Sequence, residues 1–320
     1  MFNFDLKQLL AGNRRQLAKS ITLIESKRDD HRVQAQHMLE QLLPHSGKSI
    51  RIGISGIPGV GKSTFIEAFG LYLIEQGKKV AVLAVDPSSP ITGGSILGDK
   101  TRMEILSQQN EAFIRPSPSS GALGGVAQKT RESIIACEAS GYDVVIVETV
   151  GVGQSEYEVA SMVDFFLVLM VPNAGDELQG IKKGILELAD AIVINKADGE
   201  SKLLAEKARI HYSNAMHLVG KNSGWKIQVL TCSARDKLNI DKIWRMILEY
   251  QQQAVEKNLF FEKRANQNKE WMWKLVRELL ELKLHSDPET KNTARLMEQK
   301  VTEGSTTPLL AAMQILTHLN

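Results

Sequence analysis

Gly56-Ile57-Pro58-Gly59-Val60-Gly61-Lys62-Ser63-Thr64 is the stretch that decides the fold. It satisfies G-x-x-x-x-G-K-[ST] and lies between an apolar β-type run, RIGIS at 51–55, and a helical pattern. Glycines at these positions let backbone N–H groups wrap a polyanion, and a helix beginning near Gly61 points its positive end at the same place. Lys62 adds a charge near the β- and γ-phosphates of a nucleotide, and Ser63 offers a hydroxyl to Mg²⁺. The pattern predicts a strand, a phosphate-binding loop and a helix.

Outward from this loop the chain alternates short apolar runs with helical patterns. The runs are RIGIS, VAVLAV (80–85), VVIVE (144–148), FFLVLMV (165–171), AIVIN (191–195) and KIQVL (226–230). Near-continuous hydrophobicity marks strands buried on both faces, hence a parallel sheet with crossover helices. AFIRP at 112–116 is expected to pair inside the insertion between the second and third of these strands. The fold class expected is α/β, a P-loop NTPase with a mainly parallel sheet, helices on both faces, and helical extensions at both ends. The domains expected are a helical arm at 1–48, a nucleotide-binding domain at 49–256 and a helical tail at 257–320. The tail carries Phe260, Phe261, Trp271 and Trp273, rings that need either the main domain or a second copy of the chain to cover them.

Composition narrows the partners. With 320 residues, 43% hydrophobic and 24% charged, the chain can build one sizeable core. A net charge of +2 gives no global attraction to nucleic acid or membrane, so neither is expected as a partner. Cys137 and Cys232 form neither metal-ligand spacing nor a disulfide framework, the first twenty residues mix charge with apolar residues, and no run reaches the length of a membrane span. The location expected is cytoplasmic.

Three acids are candidates for a metal site. Glu148 ends the run VVIVE and is followed by Thr149, Val150 and Gly151, an acid-x-x-Gly pattern at the C-terminal end of a strand, where open α/β sheets bind ligands. It reads as a carboxylate acting through Mg²⁺-bound water, with the Gly151 N–H near the γ-phosphate. Asp86 ends another strand, in DPSS, and reads as a metal-sphere acid or a turn residue. Asp99, in GDKTRM, reads as a metal-site acid or a helix N-cap; both readings stay open.

Asn195, Lys196, Ala197 and Asp198 give N-K-x-D after the strand AIVIN. A carboxylate there accepts from the ring N–H and exocyclic amine of guanine, while the lysine stem covers the base. Adenine lacks that pair of donors and would leave the carboxylate unpaired, at a cost of about 1–3 kcal/mol or more. GTP and GDP are therefore the nucleotides expected. Ser233, Ala234 and Arg235 follow KIQVL, where a second, looser base-contacting loop belongs.

Together GIPGVGKST, DPSSP, GDKTRM, ETVGVGQSE, AGDELQGIKKGI and NKAD, spread over residues 53–198, resemble the MeaB/ArgK-like GTPases, chaperones of adenosylcobalamin-dependent methylmalonyl-CoA mutase that have also been labelled lysine/arginine/ornithine transport-system kinases. The resemblance implies a homodimeric GTPase that gates cofactor delivery to that mutase or a related one and protects it from inactivation. It implies that Lys62 and Ser63 serve phosphate and Mg²⁺, that Asp86, Asp99 and Glu148 are acids of the metal and hydrolysis site, and that Asp198 reads the base. It further implies that Val171–Lys182 is a mobile switch, with Lys182 reaching towards the nucleotide.

Two rival activities differ in class. A kinase linked to lysine/arginine/ornithine transport would use the same P-loop for phosphoryl transfer, but no acceptor pocket is identifiable. A nickel-insertion GTPase would need clustered ligands, and the seven histidines are scattered.

Overall fold

The computed structural model describes residues 4–85, 103–116, 125–149, 155–172, 183–216 and 224–317, the side chains of Ser155, Lys183 and His285 excepted. Helices α1 (Leu6–Leu10), α2 (Arg14–Glu25) and α3 (Asp29–Leu42) come first. Asn13 starts α2 by accepting from the N–H groups of Arg15 and Gln16, which satisfies donors that a helix leaves open. Leu17, Ile21 and Ile24, at helical spacing, form the buried stripe of α2.

Among the described residues, seven strands make one wholly parallel sheet in the order β3-β2-β4-β1-β5-β6-β7. They are β1 (Ile50–Gly56), β2 (Val80–Val85), β3 (Ala112–Pro116), β4 (Val144–Thr149), β5 (Phe165–Met170), β6 (Ala191–Ile194) and β7 (Gln228–Thr231). All six principal runs appear as strands. AFIRP departs from its expected place: instead of pairing within the insertion it joins the main sheet as β3, in register with β2 from Val80↔Ala112 to Ala84↔Pro116. As an edge strand it tolerates Pro116, which has no N–H to donate.

Side-chain alternation splits the strands between two cores. One face carries Ile52, Ile54, Val82 and Ile146 and is covered by Phe65 and Phe69 of α4 (Lys62–Glu75), Leu106 of α5 (Glu104–Ser107) and Trp244 and Ile247 from Ile240–Glu256. The other carries Leu83, Val145, Val147 and Val168. It is covered by α2, α3, α6 (Gly125–Ala139), α7 (Ser155–Ala160), α8 (Lys183–Leu188) and α9 (Lys202–Met216). The helix Ile240–Glu256 is α10, followed by α11 (Leu259–Ser286), α12 (Pro288–Thr302) and α13 (Pro308–Leu316).

Two compact units result, Met1–Arg264 and Ala265–Asn320. Their boundary falls inside α11, eight residues beyond the domain end expected at 256, and the first unit contains the N-terminal arm. A buried ionic cluster explains why Arg264 belongs to the first unit. Its guanidinium donates to both carboxylate oxygens of Asp164, at 2.7 and 2.6 Å, and to the carbonyls of Gly47 and Ser49, each at 2.6 Å. Asp164 also accepts from the N–H of Arg51 at 2.8 Å, so the starts of β1 and β5 are tied through one acid. Beside it, Glu138 of α6 accepts from the Ser49 hydroxyl, the Gly47 N–H and two guanidinium nitrogens of Arg51, all within 2.9 Å. Burial alone would push the Glu138 carboxyl up, but these donors and the Arg51 charge prevail and hold it below the usual glutamate range.

A buried acid left without its cation is severely destabilising. Arg264→Met is expected to lose about 3–5 kcal/mol of folding stability in urea at neutral pH; a loss below about 1 kcal/mol would show the cluster to be peripheral. Because the folded pKa of Glu138 is depressed, its contribution is complete above the ordinary glutamate value near about 4.3 and disappears as pH falls through the folded value. Glu138→Gln should therefore flatten the acid limb of the stability curve below about pH 4, a limb measured by urea midpoints.

Candidate functional site

The C-terminal ends of β1, β4, β5 and β6 lie on one edge of the sheet, with β1 between β4 and β5. The chain reverses its order of strand addition at β1, which is the position where open parallel sheets form a ligand crevice. Gly56 closes β1 there. A Cβ on it would come within 2.6 Å of the Leu169 carbonyl, so only glycine allows the loop to leave the sheet beside β5. Pro58 and Gly59 stand exposed at the loop crest, Val60 is fully buried beneath, and the Val60 N–H donates to Ile57 at 3.2 Å. Gly61, in the left-handed region at φ 90°, precedes the first residues of α4, Lys62, Ser63 and Thr64. The Lys62 ammonium donates to the Gly56 carbonyl at 2.8 Å, which lays its stem across the loop.

Asn195 joins this loop to the next two. Its side chain is buried; Nδ2 donates to the Val60 carbonyl at 2.9 Å, while Oδ1 accepts from the Ala234 N–H at 3.1 Å. Cys232 Sγ donates to the same oxygen at 3.4 Å, and burial pushes this thiol up to about 12, so it stays a neutral donor. Lys196 then takes φ 59°, unusual for a side chain with a Cβ, and the chain turns. Asp198 follows, its carboxylate accepting from the Ser233 hydroxyl at 2.6 Å and from Arg235 Nη2 at 2.9 Å. Gly61, Thr64, Lys196, Asp198 and Arg235 stand on the wall of one cavity of about 480 Å³, in the size range of small-molecule sites. The phosphate-loop motif and N-K-x-D, more than 130 residues apart in the chain, meet across that space: Asn195 and Val60 are 135 residues apart.

Glu148 occupies the register between Ile54 of β1 and Ala84 of β2 and is 3% exposed. Val144 and Ile146 face α4, so alternation puts Glu148 on that same side of the sheet, the side of Ser63. Next to it the Thr149 hydroxyl donates to Ser55, which braces the strand end behind Gly56. A buried carboxylate and a hydroxyl at a helix N-terminus are hard oxygen donors of the kind Mg²⁺ takes. Asp86 directly follows Val85, which pairs with Thr149; Asp86 itself, Asp99, Gly151 and the segment from Asn173 through Lys182 lie outside the described residues.

Sequence reasoning overlooked Cys232, the third partner of Asn195, and Asp236, which accepts from Arg235 Nε at 2.9 Å. Their positions immediately before and after Ser233-Ala234-Arg235 were the available signal.

Comparison with known proteins identifies the family. Residues 17–289 match the model of the family described as Methylmalonyl Co-A mutase-associated GTPase MeaB. The chain is 51% identical to the GTPase ArgK of Escherichia coli K12 over 275 residues, covering 86% of this chain and 83% of that one. It is 47% identical to the mitochondrial methylmalonic aciduria type A homolog of Mus musculus over 315 residues, covering 95% and 76%. A crystal structure of an LAO/AO transport system kinase superposes with a TM-score of 0.79 at 39% identity, covering 98% of this chain and 95% of the other. The chain belongs to the MeaB family of methylmalonyl-CoA mutase-associated P-loop GTPases.

Proposed function

We propose that this chain hydrolyses GTP to GDP and phosphate in order to regulate methylmalonyl-CoA mutase or a related adenosylcobalamin mutase, gating cofactor delivery and protecting or reactivating the mutase. The observation that carries the nucleotide reading is the Asp198 carboxylate on the wall of the cavity whose other side is the phosphate loop. Guanine fits that wall because its ring N–H and exocyclic amine are adjacent donors for one carboxylate, and the Lys196 stem can cover the base face. The N–H groups of Gly59, Gly61, Lys62, Ser63 and Thr64 and the Lys62 ammonium hold the phosphates, an ammonium already poised over the loop by its bond to Gly56. Ser63 and Glu148, with Asp86 and Asp99, would hold Mg²⁺, which when bound supplies positive charge to the β- and γ-phosphates.

Regulation follows from where the sequence places its polar, glycine-containing segment. It begins at Pro172, immediately beyond β5, beside the phosphate-loop edge of the sheet. We assign Gln179 and Lys182 of this segment to communication with the mutase, so that the GTP and GDP states differ in mutase affinity by the ~1–3 kcal/mol typical of coupled sites. The family's mutase association supports the partner. We further assign homodimer formation to the second unit. Trp273 is 51% exposed there and Leu280 49%, on a unit whose core among the described residues contains few large side chains. Cys137 and Cys232 are free buried thiols, which suits a cytoplasmic setting.

Five variants and a labelled substrate test these assignments. Asp198→Asn should lower GTP affinity by roughly 10- to 100-fold and gain xanthosine triphosphate, whose ring offers an acceptor to the amide; undiminished GTP affinity would refute the base assignment. Lys62→Ala should abolish tight triphosphate binding, whereas Glu148→Gln should retain binding and lose at least about 100-fold in Mg²⁺-dependent hydrolysis. With γ-labelled GTP the label should appear as free phosphate; label on an amino acid or protein would favour the kinase. Replacing Gln179 and Lys182 with alanine should preserve basal hydrolysis and remove stimulation by the mutase. Trp273→Glu should convert a dimer to a monomer in light scattering, and a persistent dimer would place the contact elsewhere.

A further inference from the structure

The carboxylate assigned to guanine is already engaged. Ser233, fully buried, donates to Asp198 Oδ2 at 2.6 Å and belongs to the fixed frame of the loop. Arg235 Nη2 donates to Oδ1 at 2.9 Å, from a side chain that is 71% exposed onto a carboxylate that is 16% exposed. Arg235 and Asp198 stand on the wall of the same cavity. A guanidinium and the edge of guanine present the same chemistry, since both set N–H donors on adjacent nitrogens around one carbon. The arginine thus offers Asp198 what the base would offer it.

The arginine also has a second seat. Its Nε donates to Asp236 Oδ1 at 2.9 Å, and Nη2 lies 3.5 Å from Asp236 Oδ2. The N–H of Asp236 donates to Ser233 Oγ at 3.1 Å, which keeps this second acceptor next to the first. Moving Nη2 from Asp198 to Asp236 would leave the Nε bond intact and complete a two-point pair, the geometry in which guanidinium–carboxylate contacts are strongest.

We propose that Arg235 is a built-in competitor for the base site: it satisfies Asp198 while no nucleotide is bound and is displaced onto Asp236 when guanine enters. The inference rests on the reading of Asp198 as the guanine acceptor. Its consequence is kinetic and energetic. Arg235 weakens GTP and GDP binding alike, speeds their release, and leaves the choice of base to Asp198. The half-buried Asp198 carboxylate, whose Oδ2 the Ser233 hydroxyl holds throughout, thus has a donor for Oδ1 as well before the base arrives.

The test is a titration of the full-length protein with fluorescently labelled GDP, and with the labelled xanthosine diphosphate for variants lacking Asp198. Exposed ion pairs have modest strength, so Arg235→Ala should tighten GDP binding by about two- to fivefold. Asp236→Asn, which weakens the second seat, should loosen GDP binding by about twofold or more. In an Asp198→Asn background, Arg235→Ala should leave xanthosine diphosphate affinity unchanged, because the contested carboxylate is gone. If Arg235→Ala weakens GDP binding or leaves it unaltered, the arginine covers the bound base or stands apart from it, and the competitor is refuted while the Asp198 reading survives. An equal gain in both backgrounds would refute it too. If Asp198→Asn instead keeps GDP and gains no xanthosine diphosphate, the base reading itself fails and the competitor falls with it.

Discussion

The side-chain amide of Asn195 is the contact on which the candidate nucleotide site depends. One buried group uses its nitrogen to hold the phosphate loop at Val60 and its oxygen to hold the loop after β7 at Ala234. Three segments that lie far apart in the sequence become a single wall through this group. The fit is close: a Cβ on Gly61 would stand 3.0 Å from Asn195 Nδ2. Without Asn195, the Val60 carbonyl and Ala234 N–H would lose their partner in the interior, and both loops would be free to drift relative to Asp198. Preorganisation of this kind is what lets a site recognise a base edge without spending its binding energy on ordering loops.

The opposite edge of the sheet is held by charge. Arg264, Asp164, Arg51 and Glu138 fix where β1 and β5 begin, and both strands end at the phosphate-loop edge. Nearby, the Lys263 ammonium donates to the Asp164 carbonyl at 2.5 Å and lies 3.5 Å from Asp190, whose carboxylate accepts from the Phe166 N–H. The start of α11 thus contributes two cations to the strand starts of the nucleotide-binding unit. Such groups make the sheet a rigid frame between two clamped edges, and they explain why the first six residues of a helix that otherwise belongs to the tail are integral to the core.

Much of this was legible in the chain because the signals were local. Strands such as VVIVE and FFLVLMV are apolar on both faces, which only a doubly covered parallel sheet requires, and they appear as β4 and β5. The two nucleotide motifs likewise follow from short-range chemistry, and the structure brings them to one cavity. Long-range pairings were not legible. Arg264 reaches Ser49 across 215 residues, and nothing in the local pattern of α11 distinguishes Arg264 from a solvated helix charge. AFIRP was recognised as a strand but assigned to the insertion, because which neighbour an edge strand pairs with depends on topology instead of composition. The boundary expected at 256 follows from where the strand signals stop, after Tyr250, whereas the first compact unit extends to Arg264.

The central claim is that the cavity beside the phosphate loop is built for guanine. Calorimetric titration of the unmodified protein with GDP and with ADP, both with Mg²⁺, tests it most directly. The two ligands share their phosphates and sugar, so any difference in affinity comes from the base edge. The account predicts that GDP binds at least roughly 100-fold more tightly than ADP, as expected where a site built around a hydrogen-bonded edge meets an analogue that cannot pair. Equal affinities would contradict it and would mean that Asp198 does not read the base.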